Sequence, residues 1–210
     1  MEITSPSFKK NVHKALRDEQ LQQAMRHVRS NFIQKRAAAA DALPEFEALR
    51  DNARDIKNHV LENLDLYLER FESKVTENGG HVHWAATASD ARGMVLDICR
   101  RVNAKSVTKG KSMISEEMEL NGFLEKYGIT PVETDLGEYI IQLRGEHPSH
   151  IIAPSVHVTM NQVRDDFRKA HTHLPKDRPM DEPESLLKEA RAILRQKFME
   201  ADVGITGANF

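Results

Sequence analysis

The 210-residue sequence has a single cysteine, Cys99. One cysteine cannot close an internal disulfide, which fits a reducing compartment. Nor can it alone hold an iron–sulfur cluster or a cysteine-based zinc site. Its neighbours Met94-Val95-Leu96-Asp97-Ile98 follow an apolar helical pattern, so a buried structural thiol is expected. Long apolar runs are also missing. No stretch approaches the ~20 residues that cross a bilayer. Met1-Glu2-Ile3-Thr4-Ser5-Pro6 lacks the apolar segment of a secretory signal. The expectation is a cytoplasmic protein with no membrane span. Charge of one sign is not in excess either: the formal net charge is −2 and the basic residues are spread along the chain. That argues against a nucleic-acid partner, which would require a basic face. Internal repeats and low-complexity tracts are absent apart from Ala37 to Ala40, which reads as helix or helix end.

With 40% hydrophobic and 30% charged residues, a packed core is within reach. The first 78 residues read as a helical extension. Phe8, Val12, Ala15 and Leu16 share a face, and Leu21, Met25, Val28 and Phe32 continue it after a shift. After Pro44, apolar residues from Leu49 to Val75 recur every three or four positions, predicting one long amphipathic helix. Asn78-Gly79-Gly80 should end it. Residues 79–210 then alternate strand and helix. Strands are expected at His81–Ala85, Ala104–Thr108, Ile129–Thr134, His150–Ala153 and Val203–Thr206, with helices between most of them. His171 to Pro183 reads as a surface loop. This alternation predicts an α/β domain with a mostly parallel sheet. The chain stops after a strand and a glycine turn, where a doubly wound sheet usually feeds a helix. The domain is therefore expected to run on past Phe210.

Three motifs fall where such a fold builds its ligand crevice, at the carboxyl ends of strands. In Lys109-Gly110-Lys111-Ser112, two lysines and the amides of a helix start could hold a phosphate or carboxylate. The spacing is not that of a Walker A loop, and Ser112 also reads as a plain N-cap. Glu116 follows in the same helix and could point into the cleft, with Asn121 one turn on; acids near a helix start are also favoured by its dipole. In the second motif, Glu133, Thr134, Asp135 and Glu138 close a strand and open a helix, Asp135 serving as cap. In the third, Thr206, Gly207 and Asn209 belong to a tight turn whose amides could bind an anion. The histidine pairs His81/His83 and His171/His173 have no fixed third ligand, so no metal site is expected.

In order, Lys-Gly-Lys-Ser-Met-x-x-Glu-Glu, Glu-Thr-Asp-Leu-Gly-Glu-Tyr-Ile-x-Gln-Leu, Pro-Ser-His-Ile-Ile-Ala-Pro and Asp-x-Gly-Ile-Thr-Gly-Ala-Asn-Phe resemble the lactate-utilisation (LUD) domain family. Together with the helical N-terminus, they resemble the N-terminal part of its iron–sulfur B-type members across essentially the whole chain. The resemblance implies a Rossmann-like core of the ribose-5-phosphate isomerase and CoA-transferase type. It implies a role in bacterial oxidation of L-lactate to pyruvate with two partner subunits, and 4Fe-4S clusters in a region beyond this chain. It assigns no catalytic residues. Two other readings remain open: an enzyme acting on a CoA ester or sugar phosphate through a glutamate, and a non-catalytic scaffold subunit.

Overall fold

Three short parallel strands position the chemistry-bearing turns. The computed structural model describes residues 5–149 and 152–208. Its helices are α1 (Phe8–Arg17), α2 (Glu19–Val28), α3 (Gln34–Asp41), α4 (Phe46–Glu62), α5 (Leu64–Glu77) and α6 (Ala88–Arg101), with one turn of π-helix at Arg29–Ile33. There follow β1 (Ser106–Gly110), α7 (Met113–Glu117), α8 (Leu120–Lys126), β2 (Thr130–Glu133), α9 (Leu136–Arg144), α10 (Met160–Ala170), α11 (Pro183–Glu200) and β3 (Val203–Thr206). The protein is α/β. β1 lies centrally in the order β2-β1-β3, and both pairings are parallel.

Residues Val28–Ala86 form one compact unit and the remainder the other. Within the first, α4 and α5 replace the single helix expected from the periodicity. The break falls at Asn63, whose φ of −123° and ψ of 35° leave the helical region. Its N–H and its Nδ2 both donate to the His59 carbonyl, at 3.2 and 2.8 Å, so the side chain helps close the end of α4. At the end of α5, Gly79 takes φ +80°, and Gly80 N–H donates to the Val75 carbonyl at 2.9 Å. That is the expected glycine stop. The strand expected at His81–Ala85 does not form. A strand needs a neighbour, and among the described residues β1, β2 and β3 pair only with one another.

The second unit holds both apolar cores. Val107 of β1 packs with Leu96, Cys99, Ala104, Leu120, Leu124 and Ile129. Val132 of β2 packs with Tyr139, Ile140, Phe167, Met180, Leu186, Ala190 and Ile193. Val107 is in register with Pro131, and Thr108 with Val132. Side chains alternate along a strand, so the two cores lie on opposite faces of the sheet. Cys99 is fully buried, as expected, and burial pushes its thiol pKa up.

Several expectations shift in detail. The helical stretch between the first two paired strands, from Met113 to Tyr127, is split at Glu119, which sits in the left-handed region at φ 53°. Of the expected strand His150–Ala153, His150 and Ile151 lie outside the described residues, and Ile152 and Ala153 carry no strand. Of the expected loop, residues 171–182 lack regular structure while Pro183 opens α11; the loop is not wholly superficial, since His171 and Met180 are buried. His171 is held by Tyr139 Oη at 2.9 Å and Glu189 Oε1 at 2.7 Å, and Arg178 Nε donates to the other Glu189 oxygen at 2.6 Å. These bonds anchor the loop, a packing role that polar composition does not reveal.

Candidate functional site

The strand register brings the lysine turn and the acidic strand end together. Lys109 pairs in register with Glu133 on one side and Ile205 on the other. Lys109 is completely buried, and its Nζ donates to Glu133 Oε1 at 2.6 Å and to Glu116 Oε1 at 2.9 Å. A buried ammonium is tolerated only when paired in this way. Asn121 Nδ2 donates to the same Glu133 oxygen at 2.7 Å. The second Glu133 oxygen, the Asn121 carbonyl oxygen and Glu138 Oε2 are buried without a partner.

β2 is an edge strand of the described sheet, and Gln142 of α9 closes that edge. Its Oε1 accepts from Glu133 N–H at 3.0 Å and its Nε2 donates to the Pro131 carbonyl at 2.9 Å. The Glu133 carboxylate is thus fixed from backbone and side chain alike. Thr134 ties the turn back to β1 through its hydroxyl and its N–H, which donate to the Lys109 carbonyl at 2.7 and 2.8 Å.

Lys111 has a φ of +24°. Its Nζ stands 3.8 Å from both Asp135 Oδ1 and Glu138 Oε1 and donates to the Ile152 carbonyl at 3.3 Å. At 3.8 Å the carboxylates attract the ammonium without a direct hydrogen bond. Asp135 caps α9, accepting from Gly137 N–H at 3.1 Å and Glu138 N–H at 3.3 Å. Glu138 does not complete a capping box; its carboxyl faces Lys111 instead. Burial and the nearby Glu133 charge push the Glu138 pKa up to about 7, against the pull of Lys111. Glu116, Glu125, Glu133, Glu138 and Glu146, with Asn121 and Gln142, line a cleft of about 170 Å³ beside Lys111. That is room for a small metabolite, well below the size of a drug-like ligand site.

The third motif closes over the first. Gly207 N–H donates to the Gly110 carbonyl at 3.3 Å. A Cβ on Gly207 would lie 2.7 Å from Ser112 Cα and 2.8 Å from the Lys111 carbonyl oxygen, so only glycine fits. Thr206 ends β3 opposite Gly110. Ser112 caps α7 by accepting from Ser115 N–H at 3.3 Å. Gly110, Ser112, Thr206 and Gly207 therefore shape the turn, while Lys109, Lys111, Glu116, Glu133, Asp135 and Glu138 supply its charge. Asn209 lies outside the described residues. Sequence reading missed Gln142 and Arg92. Gln142 stands in the same motif as Glu133, nine residues on, but the motif alone does not show that its side chain reaches back to the Glu133 amide.

Among the described residues, no group of three or more His, Cys, Asp or Glu is placed to hold a metal ion. A 4Fe-4S cluster takes four thiolates, and the one cysteine here is buried in α6. The residues of this chain do not fit such a cluster.

Comparison with known proteins gives a consistent picture. The LUD domain matches residues 68–210. Lactate utilization protein B of Bacillus licheniformis is 43% identical over 211 residues, covering 100% of this chain and 43% of that protein. Its namesake in Bacillus subtilis is 42% identical over the same span and the same share of each chain. A protein of Escherichia coli called uncharacterized electron transport protein YkgF is 38% identical over 210 residues, again covering 100% of this chain and 43% of its own length. The chain thus spans less than half the length of these relatives. No solved structure matches it significantly.

Proposed function

Because the chain belongs to the LUD domain family, we propose that it works in bacterial lactate utilisation, as the N-terminal part of an iron–sulfur subunit that oxidises L-lactate to pyruvate with two partner subunits. The clusters would be carried by a region outside this chain. The role in lactate rests on the names of the relatives, whose whole lengths this chain matches in part. What the chain itself contributes is a cleft for a small anion such as a 2-hydroxy acid.

One observation supports this reading above the rest: an ammonium, Lys111, and a carboxyl that titrates near neutrality, Glu138, meet where the parallel strands end. Lys109 is wholly buried between Glu133 and Glu116, whereas Lys111 lies 3.8 Å from Glu138 beside the cleft with 23% of its side chain exposed, so Lys111 is the cation a carboxylate can reach. A cleft lined by ionised glutamates would repel that carboxylate. A neutral Glu138 removes one of those charges and can donate a hydrogen bond. Anion binding should therefore strengthen as pH falls through about 7, the value at which Glu138 takes up its proton.

Calorimetric titration with L-lactate and pyruvate tests the reading. Lys111→Met should weaken binding about tenfold, the loss expected for one charge-assisted hydrogen bond. Glu138→Gln should flatten the pH dependence between 6 and 8 while retaining affinity at pH 6. Unchanged binding in Lys111→Met, or no binding by the full chain, would remove the cleft from the proposal. Normal growth on L-lactate of a strain lacking the gene would remove the physiological role.

A further inference from the structure

A larger cavity, of about 540 Å³, opens beside the acidic cleft and shares Glu116, Asn121 and Pro148 with it. Arg92 of α6, Phe123 and Lys126 of α8, and His147 line it, together with two acids, Glu116 and Glu119. Its chemistry differs from that of its neighbour. The Arg92 guanidinium stands 5.3 Å from the Phe123 ring centroid, and Nη1 donates to the Met118 carbonyl at 3.1 Å. Arg92 Nε is buried without a partner, and no carboxylate among the described residues pairs with this guanidinium. Glu116, the shared acid, is drawn to Lys109 at 2.9 Å. Two basic side chains, Arg92 and Lys126, and the partly exposed ring of Phe123, in a space of ligand size, suit an anion that also carries a ring.

We infer that this second cavity binds a nucleotide, with the base against Phe123 and the phosphate on the open side of the Arg92 fork, next to the small-anion cleft. The volume falls within the ~300–1,000 Å³ of sites for molecules of that size. With Nε buried and Nη1 bonded to Met118, Nη2 is the Arg92 donor left for a phosphate, while the guanidinium plane stacks on Phe123. Lys126, exposed at the end of α8, adds charge at the rim. The inference is independent of the lactate reading, since it uses neither Lys111 nor Glu138.

The test is calorimetric titration of the full chain with three probes: AMP, adenosine and ribose 5-phosphate. AMP should bind at least about tenfold more tightly than either fragment, because each fragment lacks one of the two contacts. Arg92→Gln and Phe123→Ala should each weaken AMP about tenfold, with far-UV circular dichroism confirming the fold. Lys126→Gln, a surface change that leaves the core alone, should weaken AMP by about two- to fivefold. L-Lactate binding should be unaltered in Phe123→Ala, which separates the two cavities. The inference is overturned if AMP does not bind at millimolar concentration. It is also overturned if adenosine binds as well as AMP, or if AMP affinity is the same in folded Arg92→Gln and Phe123→Ala.

Discussion

Lys109 shows how one residue can be indispensable without meeting a ligand. Its side chain is inaccessible and bridges two glutamates. Lys109→Met should destabilise the fold by about 3–5 kcal/mol in urea denaturation, because Glu133 would be left buried and unpaired. Adding Glu133→Leu should restore most of the loss, since an apolar pair of similar volume is tolerated where a lone charge is not. No restoration would mean that Lys109 acts through packing alone. Glu138 carries the opposite sign of pH dependence from a salt-bridged acid. Its pKa rises from the ordinary 4.5 to about 7 on folding, so the folded state holds its proton more tightly. Its contribution to stability is whole below pH 4.5 and is lost as pH rises through about 7. Glu138→Gln should therefore stabilise the protein at pH 8 by about 1–3 kcal/mol and leave it nearly unchanged at pH 4. Residue types at strand ends were legible in the sequence: Lys109, Lys111, Glu116, Glu133, Asp135 and Glu138 do cluster. Their division of labour was not. Whether a lysine is exposed or locked depends on strand register, which pairs Lys109 with Glu133 across 24 residues.

At the scale of elements, helix propensity foresaw which stretches coil and missed where they break. Asn63 and Glu119 interrupt patterns that apolar spacing alone would continue. Neither position carries the glycine or proline that usually announces a stop. Glu119 holds a left-handed conformation that costs a side chain about 1–2 kcal/mol. Glu119→Gly should raise the urea midpoint, by about 1 kcal/mol or less once the added freedom of the unfolded chain is counted. A lowered midpoint would show that the glutamate side chain has contacts worth more than the strain. The short strands at Val203–Thr206 and Ile129–Thr134 were readable because apolar runs bounded by glycine or charge have few alternatives. The expected strand at His81–Ala85 failed for a reason outside its own residues: it has no described partner to pair with.

For the molecule as a whole, apolar burial is unevenly shared. Every residue of both core clusters lies between Leu96 and Leu194. No residue of α1 to α5 is buried, and Ile56, Leu61 and Phe71 are 66%, 67% and 59% exposed. A fragment of residues 87–210 should thus unfold in one cooperative transition. A broad, non-cooperative melt would show that the helices before it are needed. If the proposed complex forms, deleting residues 1–75 should abolish assembly with its other subunits, read by co-purification; an intact complex would give those helices some other task.

The strand that flanks β1 on its second side, β3, comes from far along the chain. Asp202, at the head of β3, accepts from Lys105 N–H at 2.8 Å across 97 residues of chain. At a synthesis rate of about 5–20 residues per second, a ribosome needs roughly 5–20 s to travel from one to the other. During that interval β1 leaves the exit tunnel with one flank unpaired, a template for pairing with a neighbouring nascent chain.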